Sequence, residues 1–86
     1  MALIAAERFL VIKADKVLDA TGLSCPLPLL KTKAALAKMQ TGEVLHVRAT
    51  DPLAPLDLRA FCLRTEHELV HFSETDAHSE FFIRKA

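Results

Sequence analysis

The chain has 86 residues, 51% of them hydrophobic, and its 11 basic and 11 acidic side chains cancel. A chain of that length holds one small core, with a net stability on the order of 3–5 kcal/mol, and that composition excludes a disordered polymer. The interleaved, balanced charge leaves no footprint for nucleic acid or an anionic bilayer, so neither is expected as a partner.

The N-terminal stretch "MALIAAERFLVIKADK" resembles a secretion signal only briefly. Glu7 and Arg8 break its apolar run, and no basic region precedes it. No segment approaches the ~20 apolar residues of a membrane span. A cytoplasmic protein with reduced thiols is expected. Residues 1–15 read as an extension to a domain of residues 16–86, and an edge strand, a short helix on the sheet or an oligomer contact are all compatible with it.

The first strand is predicted over Val17–Ala20, ending at the turn pair Thr21-Gly22. A helix follows from about Pro26 to Gln40. Leu29, Leu30, Lys33, Ala34, Leu36, Ala37 and Gln40 form a mostly apolar stripe there, with Lys31, Lys33 and Lys38 towards the outer side. Gly42 is the expected stop, because glycine adopts a left-handed conformation cheaply. "EVLHVRAT" alternates, with Leu45, Val47 and Ala49 on one face and His46 and Arg48 on the other, the pattern of a half-buried strand. Pro55 suits the first turn of a second helix, whose inner face is predicted from Leu56, Ala60 and Leu63 with Phe61 beside them. "ELVHFSET" and "EFFIRK" complete the chain as strands joined by "DAHS". This order predicts an α/β fold, a two-layer βαβαββ sandwich. Its four-stranded mixed sheet carries both helices on one face, because right-handed crossovers place them there.

The chemistry concentrates in "GLSCPLPLLKTK". Pro26 pushes the residue before it out of helical geometry and itself suits the start of a helix. Cys25 is therefore expected at or beside the N-cap. Open N–H groups and the positive end of the helix dipole would favour its thiolate there and lower its pKa. Pro28 stiffens the first turn and leaves only the N–H groups of Leu27 and Leu29. Cys62, within "AFCLR", reads as an inert core residue that could still resolve an oxidised Cys25. The four histidines, at 46, 67, 71 and 78, complete no hydrolase pair with Cys25 and have no metal-ligand spacing. No phosphate-binding glycine loop is present. A lone helix-capping thiol on a catalytically bare domain can attack a sulfur, hold a sulfur or be oxidised, which points to a carrier.

"LDATGLSCPLPLLKTKAAL" closely resembles the signature of the TusA-like (SirA/YedF-type) sulfur carriers, a Leu-Asp…Gly-Leu segment followed by Cys-Pro-x-Pro. The match continues through "GEVLHVRATDP", "FC", "EHELV" and "FFIRK", covering about residues 17–85. The resemblance implies the same βαβαββ sandwich and a persulfide site at Cys25, shaped by Gly22, Pro26 and Pro28. It further implies a cysteine desulfurase or rhodanese-type donor, a sulfur-acceptor protein, no cofactor and no metal. Lys31 and Lys33 are candidates for recognising an acidic partner surface. Leu27 stands where the family often has glutamate, and Ser24 where it often has a basic or bulky residue, which alters the face a partner meets. Two other readings remain open at this point: a non-enzymatic regulatory or interaction module in which Cys25 is only structural, and a thiol redox sensor that pairs Cys25 with Cys62.

Overall fold

A computed structural model describes residues 12–86. The alternatives raised for the N-terminal extension fall, for residues 1–11, outside the described part. The elements are β1 (Lys16–Ala20), α1 (Leu27–Ala37), β2 (Val44–Ala49), α2 (Ala54–Arg64), β3 (Glu68–Glu74) and β4 (Ser79–Arg84). The sheet order is β1-β2-β4-β3. β1 and β2 are parallel, while β4 runs antiparallel to both of its neighbours. The expected four-stranded mixed sheet with two helices is therefore present. β4 enters between β2 and β3, so those two strands point the same way without touching.

The alternation of β2 sets the two faces. Leu45, Val47 and Ala49 are fully buried and lie opposite Ile83, Phe81 and Ser79 of β4. Ala20, Leu36, Leu58 and Cys62 join the same core, with Leu18, Leu69 and Phe72 packed at its margin. On the other face the rings of His46 and Phe82 stack with centroids 4.2 Å apart. His46 and His78 there each place Nε2 2.7 Å from a Glu80 carboxylate oxygen. β3 carries an irregularity between Leu69 and His71 that shifts its register against β4. That extra residue brings both Leu69 and Phe72 to the core side.

Both helices differ from their predicted limits or faces. α1 starts at Leu27, with Pro26 as N-cap, and closes at Ala37. The last turn tightens through Lys38 N–H to Ala35 O and Met39 N–H to Leu36 O. Gly42, at φ +91°, serves the following turn rather than the helix end. Its N–H reaches Lys85 O at 2.8 Å, fastening that turn to the end of β4. The buried side of α1 is Pro28, Thr32 and Leu36, while Leu30 is half exposed. In α2 the buried residues are Ala54, Leu58 and Cys62, whereas Leu56 and Leu63 face outwards, at 68% and 87% exposure. The physical reason is close approach. Ala54 and Cys62 are small enough for α2 to lie directly on the sheet, with one leucine between them filling the remaining space.

Candidate functional site

Parallel β1 and β2 each feed a helix, so the two helix starts lie side by side at one end of the sheet. The loop between β1 and α1 is tied down at several points. Asp19 Oδ1 accepts from the Thr21 N–H at 3.0 Å and from the Thr21 hydroxyl at 2.7 Å. These two bonds hold the Asp19 carboxyl below its ordinary range. Gly22, at φ +80°, donates its N–H to Thr50 Oγ1 at 2.8 Å, which links the loop to the end of β2. Leu23 N–H returns to Ala20 O at 3.3 Å, and Leu23 packs against the core. Cys25 is therefore presented from an anchored loop, and its side chain is exposed.

The surroundings of that thiol differ from the sequence expectation. Cys25 stands one residue outside the N-cap, and the Cys25–Pro26 peptide bond is cis. The Leu27 N–H is taken by Ser24 O at 2.8 Å, and the Leu30 N–H by Pro26 O at 3.1 Å. The sulfur itself meets a carboxylate. Cys25 Sγ donates to Asp57 Oδ2 at 3.2 Å, across 32 positions of sequence. This hydrogen bond, a smaller desolvation effect and the negative charges of Asp57 and Asp51 raise the thiol pKa. The direction is opposite to the lowering expected from a helix end, because the Asp57 carboxylate accepts from the thiol and favours its protonated form.

Asp57 is the site residue that sequence reading missed. A signal was available: an acidic residue in the first turn of the helix after the parallel strand, which the topology sets beside the first helix start. Pro28 is buried beneath the first turn of α1, whereas Pro26 is exposed. A groove of about 570 Å³ runs between the two helices from Asp57, with Leu29, Leu56 and Phe61 along it and Lys33 and Arg64 among its lining. Of the two lysines singled out, Lys33 lines this groove, while Lys31 is exposed outside it. Cys62 is buried in the core, and both cysteines are free. Burial pushes the Cys62 thiol pKa up, which makes it a poor nucleophile. Among the described residues no cluster of three or more His, Cys, Asp or Glu side chains is placed to hold a metal ion. No helix among them is long and apolar enough to cross a membrane.

Fold and site together define a small α/β sandwich that exposes one thiol where two helices begin. A SirA-like protein from Desulfitobacterium hafniense has this fold, with a TM-score of 0.71 and 25% identity over 80% of this chain and 95% of that one. The family model described as Sulfurtransferase TusA matches residues 16–85, and the chain belongs to the TusA family. The sulfur carrier protein TusA of Allochromatium vinosum is 46% identical over 72 residues, which is 84% of this chain and 95% of that protein. A Neisseria meningitidis relative is 57% identical over 62 residues, covering 72% of this chain and 84% of its own.

Proposed function

We propose that this protein is a sulfur carrier that accepts sulfane sulfur as a persulfide on Cys25 and passes it to an acceptor protein. The single observation that carries the reading is an exposed cysteine at the paired helix starts, in a chain of this family, with the other cysteine buried. The relative from Allochromatium vinosum bears the name sulfur carrier protein, which supports the same role here. A carrier must expose its sulfur, hold it on a stiff mount and let two partners reach it in turn. Gly22, Pro26 and Pro28 provide the mount in this reading, as a bonded turn and a helix start that proline stiffens. Exposed Leu27, Leu53 and Leu56, near those helix starts, offer apolar contact around the sulfur, and Lys33 can meet an acidic group of a partner seated in the groove.

Loading is an exchange between sulfurs. The Cys25 sulfur attacks the outer sulfur of the donor's cysteine persulfide, the donor S–S bond breaks, and the donor thiol is released. A cysteine desulfurase or a rhodanese-type protein is the donor class, and unloading repeats the step with a partner cysteine as nucleophile. Such chemistry belongs to a reducing cytoplasm. Intact-protein mass after incubation with a cysteine desulfurase and cysteine tests the proposal. The expected result is a reductant-removable gain of one sulfur atom in the wild type, absent in Cys25→Ser. No gain from that donor, or from thiosulfate with a rhodanese, would overturn the carrier reading in favour of a regulatory module.

A further inference from the structure

Asp57 is held as firmly as the cysteine it faces. It lies in the first turn of α2, where a carboxylate is favoured by the helix N-terminus. Its own N–H is bonded to Leu53 O at 3.0 Å. The residues on either side of it in the helix pattern, Ala54 and Leu58, are at most 1% exposed and fix the rotation of α2 on the sheet. The carboxylate therefore points at Cys25 Sγ because of the packing of the core, and the 3.2 Å contact joins two helices that the sequence keeps 32 residues apart.

We propose that Asp57 is a positioning and proton-holding residue of sulfur transfer: its carboxylate keeps the Cys25 thiol as a hydrogen-bond donor in the empty carrier and takes up that proton as sulfur is loaded. The inference rests on the carrier reading above. The step balances as Cys25–SH plus donor–S–SH giving Cys25–S–SH plus donor–SH. As the Cys25 sulfur attacks, its proton moves to the Asp57 carboxylate. The electron pair of the donor S–S bond leaves with the inner donor sulfur, and that thiolate takes a proton back from Asp57. One S–S bond is exchanged for another, and nothing is oxidised or reduced overall.

The arrangement separates two kinds of reactivity. A small electrophile in solution needs a free thiolate, and the charge of Asp57, reinforced by Asp51, opposes that state. Lys33 from α1 and Arg64 from α2 share the groove with Asp57, yet the hydrogen bond and both acidic charges act on the sulfur in the same direction. A docked persulfide donor needs the proton removed only as the new bond forms, with an acceptor already in place. The empty carrier is thereby guarded against alkylation and oxidation while remaining competent for its partner.

The test compares wild type, Asp57→Asn and Asp57→Glu by two measurements at matched pH. The first is the rate of iodoacetamide alkylation at Cys25, followed by peptide mass across a pH series, which needs no sulfur donor. The second is the rate of loading from a persulfide-charged cysteine desulfurase. Asp57→Asn is expected to alkylate at least about threefold faster at pH 7, with its profile displaced to lower pH, and to load several-fold more slowly. Asp57→Glu keeps the charge and is expected to retain the wild-type direction in both. Circular dichroism confirms that each variant is folded. An unchanged alkylation profile in folded Asp57→Asn, or loading that rises in step with alkylation, would overturn the role of Asp57. Failure of the wild type to load would instead overturn the carrier reading and this step with it.

Discussion

Thr32 offers a test in which removing a polar group should strengthen the protein. It sits on the inner side of α1 between Pro28 and Leu36 and is fully buried, and its hydroxyl has no hydrogen-bond partner among the described residues. Leaving a hydroxyl unpaired in an apolar interior costs about 1–3 kcal/mol relative to water. Valine replaces that hydroxyl with a methyl group at nearly the same shape, so Thr32→Val creates neither a cavity nor an overlap. Helix propensities of the two residues are close, so the gain comes from the core alone. A stabilisation of about 1–2 kcal/mol follows, after allowance for imperfect packing of the new methyl group. In a domain of this size each kcal/mol moves Tm by roughly 4–8 °C. Thermal melts by circular dichroism and urea titrations check it, with the urea midpoint rising and the slope unchanged. A lower or unaltered Tm would refute the reasoning and show that the hydroxyl is satisfied in solution. Sulfur loading on Cys25 should be unaffected, since Thr32 faces the sheet and not the thiol.

The loop and the open sheet face give two further predictions. Gly22→Ala meets no atom of the described residues within 4 Å of the added Cβ, so its cost is the backbone strain of φ +80°. A loss of about 1–2 kcal/mol is expected in urea unfolding, and an unchanged midpoint would contradict the turn's dependence on glycine. Glu80 is held below the ordinary glutamate value of 4.5 by its hydrogen bonds to His78 first and His46 second. A depressed carboxyl contributes stability above its unfolded pKa and loses it as the pH falls through the folded one. Glu80→Gln should therefore be less stable than wild type at pH 7 and lose less on acidification below about 4.5, measured as urea midpoint against pH. Parallel curves for the two proteins would refute it.

Strand identity lay close to the surface of the sequence, while the insertion of β4 beside β2 came only with the structure. The strict alternation of "EVLHVRAT" assigns Leu45, Val47 and Ala49 to one side because a strand has a side-chain period of two, and a single polar partner set leaves one solution. The two βα units and the terminal hairpin restrict the topology further through the handedness of crossovers. The placement of Cys25 beside the start of the first helix, between a glycine turn and two prolines, was legible by the same kind of local constraint. Helix rotation was not legible. In α2 the set Leu56, Ala60, Leu63 and the set Ala54, Leu58, Cys62 are both regular helical stripes, and periodicity cannot rank them. The sheet chose the second, because its small residues permit close packing. That choice also decided the chemistry. Turning Leu58 into the core carries Asp57 to the start of α1, where it meets Cys25 and raises the thiol pKa, opposite to the direction expected from the helix end. The sequence by itself determined that Cys25 leads the first helix from a glycine turn and two prolines. Only the tertiary structure decided which charge that sulfur faces, because the two groups share no local pattern and meet through the packing of two helices on one sheet.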